Sequence, residues 1–231
     1  MKYKHLFFDL DHTLWDFEAN AYATLATLYE DLQLKERGID DFGLFYKNYL
    51  AHNEKLWEHY RKGQIRQDEL RVKRMKLALL DFKIADEDLS QKMNVLFLDL
   101  LPTRNLLFPH TKEILHYLAD KNYELHLITN GFETVQHSKL KYSGLDVFFK
   151  EVITSEGSNS IKPNKEIFEY AFKKTNAKLS TSIMIGDTIE VDIQGAINAG
   201  IDQVFVNHTG ITPTLQATYT VTTLKELEDI F

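Results

Sequence analysis

Cysteine is missing altogether from the 231 residues, which excludes a disulfide framework and any thiol chemistry. No run of about 18 or more apolar residues occurs, so no segment reads as a membrane-spanning helix and no membrane partner is expected. The apolar stretch near the start is short and meets Asp9 and Asp11 directly, unlike the longer apolar region of a secretory signal. Positive charge is in deficit. Lys and Arg number 27 against 34 Asp and Glu, a formal net charge of −7, which argues against binding nucleic-acid polymers through a basic face. Internal repeats and low-complexity tracts are absent. So are a GxxxxGK(S/T) phosphate loop and a G-x-S-x-G elbow, which leaves P-loop and serine-hydrolase chemistry without support. The composition, 44% hydrophobic and 26% charged, is ordinary for a soluble globular protein, and the cytoplasm is the expected location. The length suits one domain with an elaboration or two modest domains.

Two regions differ in pattern. From about Asn105 onward, short apolar runs at 123–129, 151–154, 182–186, 203–207 and 219–222 alternate with stretches at 111–120, 133–143, 164–175 and 190–199 whose apolar residues have helical spacing. Gly144 and Gly200 stand where helix C-caps belong. Strands alternating with helices predict an α/β fold, a doubly wound, mostly parallel sheet, to which residues 6–10 add one more buried strand. The segment after that strand reads as helices only. Ala21, Leu25, Leu28 and Leu32 have 4-3-4 spacing, and further helices are expected at 42–59, 68–81 and 86–100. A crossover between parallel strands needs about 30 residues in all, and this gap is several times longer. The expected organisation is therefore a catalytic core of 1–16 and 102–231, with an inserted helical cap at 17–101.

The chemistry sits at expected strand ends. Residues i and i+2 of a strand share a face, so Asp9 and Asp11 share a side at the carboxyl end of the first strand, where open α/β sheets bind ligands. Two such carboxylates repel unless a cation lies between them or one is protonated. A pair of solvated turn aspartates is the plainer reading of this short motif. Asp187, after Gly186, ends another strand and suits a hard cation such as Mg²⁺. Asp192 and Glu190 begin the next helix, where capping, support of a ligand and direct ligation are all open. Thr129-Asn130-Gly131 offers a hydroxyl, an amide and free backbone N–H groups to an anion, and equally suits a plain turn. Lys162 precedes Pro163, which is expected to open the helix at 164–175 and hold the lysine in place.

Taken together, four strand ends in the order Asp, Thr, Lys, Asp carry the parts that phosphoryl transfer needs. In this the chain resembles the haloacid dehalogenase-like (HAD) hydrolase superfamily. Asp9–Thr13 matches its first motif, Thr129 the second, Lys162 the third, and Gly186-Asp187 with Asp192 the fourth. The resemblance implies a Rossmann-like core with a C1-type helical cap. It also implies a phosphomonoester hydrolase in which Asp9 forms an aspartyl-phosphate and Asp11 serves as acid and then base. Mg²⁺ would be held by the Asp9 and Asp187 carboxylates and the Asp11 carbonyl. Thr129, Asn130 and Lys162 would bind the phosphoryl group, Lys162 also balancing Asp9. A cation and a lysine then explain how an acidic protein accepts an anionic substrate.

The stretches 14–20 and 56–65, with Arg71 and Arg74, look most similar to the nucleoside 5′-monophosphatase branch, which acts on pyrimidine and related nucleotides. The aromatics Phe42, Phe45, Tyr46, Tyr49, Trp57 and Tyr60 could stack on a base or simply fill a core. Sugar-phosphate or phosphoglycolate phosphatases and phosphomutases share the same acids, and a catalytically idle phosphate-ligand binding protein is the non-enzymatic alternative. Asp11 argues against a dehalogenase, which needs no proton donor. A receiver-type signalling domain would carry its acceptor on a middle strand and has no place for the large insertion.

Overall fold

The computed structural model describes residues 2–231. Strand β1 (His5–Phe8) is followed by four successive helices, α1 (Phe17–Asp31), α2 (Phe42–Arg61), α3 (Gln67–Leu80) and α4 (Glu87–Leu100). Thereafter strands and helices alternate: α5 (Thr111–Asp120), β2 (Glu124–Thr129), α6 (Glu133–Ser143), β3 (Glu151–Thr154), the single turn α7 (Ser155–Ser158), α8 (Lys165–Thr175) and β4 (Ser182–Gly186). A π-helical turn (Ile189–Ile193) then leads into α9 (Gln194–Ala199), β5 (Asp202–Val206) and β6 (Tyr219–Val221). The chain divides into two compact units, one of Met1–Phe17 with Asn105–Phe231 and one of Glu18–Arg104.

The first unit is an α/β fold built on a six-stranded sheet in the order β3-β2-β1-β4-β5-β6, with every neighbouring pair parallel. Strands buried on both faces need no alternation of polar and apolar residues, and β1 (His-Leu-Phe-Phe) is buried throughout. The sequential order reverses at β1, so the crevice of a doubly wound sheet opens beyond its carboxyl end. One face of the sheet contributes Phe7, Ile128, Ile153 and Met184 to a core shared with Ile167, Phe168 and Ala171 of α8 and Ala196 of α9. The approach of α9 requires Gly195, since a Cβ there would stand 2.8 Å from the Phe168 ring and 3.1 Å from Pro163 Cα.

The second unit is helical. Ala21, Leu25 and Leu28 form the buried stripe of α1, with Leu32 buried in the turn just after it, and Asp41 and Asp86 cap α2 and α4 by accepting from Leu44 N (3.0 Å) and Leu89 N (2.9 Å). Its core takes Phe45, Tyr49 and Leu56 from α2, Leu70, Met75 and Leu79 from α3, and Met93 and Phe97 from α4. Two of the aromatics considered for base stacking, Phe45 and Tyr49, are thus core residues, whereas Phe42, Tyr46, Trp57 and Tyr60 keep part of their surface. Arg74 is buried, with its guanidinium 4.8 Å from the Phe97 ring centroid and Nη1 3.3 Å from Asn53 Oδ1. Among the described residues no helix is long and apolar enough to cross a membrane.

Three local expectations change. The first strand leaves its ladder after Phe8, so Asp9 and Asp11 lie in the loop rather than in the strand. Pro163 does not open a helix: α8 begins at Lys165 with Asn164 as its N-cap, and the Lys162–Pro163 peptide bond is cis. The helix expected over 190–199 is a π-helical turn running into a short α-helix.

Candidate active site

Register brings the acidic residues together. Phe8 pairs with Leu127 on one side and Ile185 on the other, so Asp9 emerges level with Ile128 and Gly186, and its N–H donates to Ile185 O at 2.9 Å. The loop then turns sharply. Leu14 and Trp15 both donate N–H to Leu10 O (3.0 and 2.9 Å), and His12 adopts a left-handed conformation at φ 64°. The turn directs the Thr13 hydroxyl to Asp187 Oδ1 at 2.8 Å. Asp187 Oδ2 accepts from the Thr188 hydroxyl at 3.1 Å.

Lys162 is the centre of the arrangement, with only 1% of its surface exposed. Its ammonium donates to Asp9 Oδ1 (2.5 Å), Asp192 Oδ1 (2.7 Å) and Ile128 O (2.6 Å), which uses the three donors a lysine has. Burial alone would make the ammonium less basic, but the carboxylates of Asp192 and Asp9 raise it above the ordinary lysine range. Asn130 locates the lysine: its side-chain Oδ1 accepts from Lys162 N (2.7 Å) and its Nδ2 donates to Lys162 O (3.0 Å). This amide clamp does the positioning expected of Pro163. It also commits the Asn130 side chain to protein, leaving the backbone N–H as the group that can face an anion.

Asp192, 1% exposed, is committed as well. Oδ1 is on Lys162, and Oδ2 accepts from the N–H of Thr188, just ahead of the π-helical turn, at 3.0 Å. Gly186 makes room for it, since a Cβ there would stand 2.5 Å from Asp192 Cγ. Ligand oxygens of Asp9, Asp187 and Asp192 lie within 4.8 Å of one another. Asp9 and Asp192 share the one ammonium, while Asp187 is held by the Thr13 and Thr188 hydroxyls. Burial, followed by Asp192 and Asp187, pushes Asp9 up against the pull of Lys162, and burial with Asp192 pushes Asp187 up to about 6. A surplus of close carboxylates with raised proton affinity is the donor set a hard divalent cation would neutralise.

Asp11 stands beside this cluster with partners that its local motif did not reveal. Lys139 Nζ donates to Oδ1 at 2.6 Å and Gln136 Nε2 to Oδ2 at 2.8 Å. The same Gln136 nitrogen lies 2.6 Å from Thr129 Oγ1, which also accepts from Gly131 N at 3.0 Å. With both lone pairs of the Thr129 hydroxyl engaged, its O–H remains as a donor. Lys139 is buried and lies 4.4 Å from the centroid of the Trp15 ring. Gly131 is needed here, because a Cβ would meet Gln136 Nε2 at 2.2 Å. Three residues apart on α6, Gln136 and Lys139 share a helix face, a spacing legible in the sequence. What the sequence does not supply is that this face meets Asp11.

Comparison with known proteins finds relatives that span essentially the whole chain. Residues 3–200 match the family model described as haloacid dehalogenase-like hydrolase. The chain is 30% identical over 233 residues to pyrimidine 5′-nucleotidase YjjG of Escherichia coli, covering 100% of this chain and 98% of that protein. It is 32% identical over 232 residues to pyrimidine 5′-nucleotidase PynA of Streptococcus pneumoniae, covering 99% and 95%. The magnesium-bound orthorhombic crystal structure of YfnB from Bacillus subtilis superposes with a TM-score of 0.90 at 27% identity, covering 100% of this chain and 99% of that one.

Proposed function

For a chain that belongs to the haloacid dehalogenase-like hydrolase family, we propose a Mg²⁺-dependent phosphomonoester hydrolase that works through an aspartyl-phosphate on Asp9 and takes pyrimidine nucleoside 5′-monophosphates. The observation that carries the reaction type is the placement of one buried lysine between Asp9 and Asp192, with Asp187 and Asp11 alongside. The substrate class rests on the two 5′-nucleotidases, each similar over almost its whole length.

Bound Mg²⁺ would supply positive charge where the phosphoryl group and the Asp9 carboxylate meet, with Asp9, Asp187 and the Asp11 carbonyl as its protein ligands. Asp192 has both oxygens engaged on Lys162 and Thr188 N, so its part is to fix Lys162. Lys162 holds Asp9 Oδ1 and leaves Oδ2 to attack phosphorus. The ester P–O bond breaks as the new P–O bond forms, and the leaving oxygen takes a proton from Asp11. Meanwhile the Thr129 hydroxyl and the Asn130 N–H donate to the phosphoryl oxygens. Once Asp9 is esterified its charge is spent, and the Lys162 donor it held can pass to a phosphoryl oxygen. Asp11 then accepts a proton from water, water attacks phosphorus, and the bond to Asp9 breaks to give free phosphate and the original carboxylate. The Gln136 and Lys139 contacts hold Asp11 in one orientation.

The test is a panel of phosphomonoesters assayed with Mg²⁺ for the wild type and Asp9→Asn. Hydrolysis fastest on pyrimidine nucleoside monophosphates, and absent in chelator and in the variant, is the expected result. Full activity in chelator or in Asp9→Asn overturns the mechanism. A wide preference for sugar phosphates or phosphoglycolate overturns the substrate assignment alone.

A further inference from the structure

The far ends of β1 and β2, opposite the carboxyl ends that carry Asp9 and Thr129, hold a second polar cluster that the proposed reaction does not use. In the register of the parallel pair, His5 lies opposite Glu124 and Phe7 opposite His126, so His5, Glu124 and His126 share one face of the sheet. His5 Nδ1 and His126 Nε2 are 3.3 Å apart, and His5 Nδ1 lies 3.9 Å from Glu124 Oε2. One ligand atom from each of the three residues falls within 4.8 Å of the others. The histidines are 5% and 1% exposed, and their rings are stacked.

We propose that His5, His126 and Glu124 form a transition-metal site for Zn²⁺, separate from the carboxylate cluster. Two nitrogens each about 2.0–2.1 Å from a tetrahedral zinc lie about 3.3–3.4 Å apart, and the separation here is 3.3 Å. The same 3.3 Å also fits an N–H···N hydrogen bond between the rings, which a bound metal would replace. Two imidazoles and one carboxylate suit Zn²⁺ and disfavour Mg²⁺, which prefers oxygen throughout. Burial lowers the basicity of both rings, His126 to about 4, so both offer neutral lone pairs at neutral pH. Glu124 stays ionised, its carboxyl held down to about 2 by Lys4 and Lys150. Lys4 sits on Oε1 at 2.9 Å and Lys150 on Oε2 at 3.3 Å. Metal binding asks only Lys150, 60% exposed, to give up Oε2 to the ion, while Lys4 keeps Oε1. Water entering from the Glu124 side would complete four-coordination.

The test is zinc retention by the full chain dialysed against excess Mg²⁺, which saturates the hard carboxylate cluster. One equivalent of Zn²⁺ should remain and raise the melting temperature. Co²⁺ in its place should give the visible absorption of a four-coordinate site. His5→Gln and Glu124→Gln should lose the equivalent and the Co²⁺ bands while keeping the wild-type circular dichroism, and Asp187→Asn should keep both. Glu124 is part-exposed, so its variant reports even where a buried histidine change disturbs folding. Absence of retained zinc in the wild type, or zinc that survives His5→Gln and Glu124→Gln but leaves with Asp187→Asn, overturns the proposal. Neither outcome bears on whether Asp9 hydrolyses phosphate esters.

Discussion

Replacing Lys162 by Met tests the centre of the carboxylate cluster, because the side chain keeps its bulk and loses only its charge and donors. In the folded protein the ammonium meets Asp9, Asp192 and Ile128 O within 2.5–2.7 Å. Removing one partner of a buried, hydrogen-bonded ion pair costs about 3–5 kcal/mol, since the charge left behind is desolvated and unpaired. The carboxylates also repel once the cation between them is gone. At the 4.8 Å that bounds their ligand atoms, and an effective dielectric of about 20, that repulsion is about 3.5 kcal/mol per pair, and proton uptake relieves part of it. A net loss of about 3–5 kcal/mol at about 2–4 °C per kcal/mol lowers Tm by roughly 6–20 °C in chelator at mildly alkaline pH. Mg²⁺ at a hundredfold excess over its Kd returns about 2.7 kcal/mol of stability, so the gap should narrow when the metal is added. Activity should not recover with it. Loss of the group that holds Asp9 and then a phosphoryl oxygen costs about a hundredfold or more in kcat. The measurements are thermal melts with and without Mg²⁺ and turnover on an aryl phosphate. A variant that melts within about 2 °C of the wild type in chelator, or turns over at more than about a tenth of its rate, would refute the reasoning.

Lys139→Met frees Asp11 Oδ1 and should lower kcat by about tenfold to a hundredfold with little change in KM, because alignment of a proton donor contributes to the transition state rather than to binding; Lys139→Arg should restore part of the loss. Gly186→Ala places a methyl 2.5 Å from Asp192 Cγ, and overpacking of this kind should destabilise the protein by about 1–3 kcal/mol in denaturant melts. His126 supplies a pH signature in metal-free protein. Its folded pKa of about 4 lies below the ordinary 6.5, so the unfolded chain binds more protons between those values. Stability should therefore fall as pH drops from about 6.5 to about 4 and level off below, by about 3 kcal/mol at most. His126→Gln should flatten that part of the profile, and an unchanged slope would remove His126 as its source.

Much of the site was legible because its signals are local. A short apolar run ending in Asp9 and Asp11, a second ending at Gly186-Asp187, and the order Asp, Thr, Lys, Asp are all linear patterns, as is the 4-3-4 spacing whose first three residues line the buried face of α1. Periodicity reports which face of an element is apolar, and that follows from backbone geometry alone. Which partner a polar side chain finds does not. The sequence offers Asn130 to the substrate, whereas its amide closes on the backbone of Lys162, 32 residues away. The sequence leaves Asp192 open between capping, support of a ligand and ligation. Burial leaves its two oxygens only Lys162 and Thr188 N to satisfy them. Gln136 and Lys139 reach Asp11 over 125 and 128 residues, and His5 meets His126 over 121, only because β2 lies beside β1 in a fixed register. The sequence by itself determined the kinds of elements and the chemical groups at their ends. The tertiary structure decided which groups touch, because sheet order and register bring together residues that no local preference connects, and burial then obliges each polar atom to use the neighbours it is given.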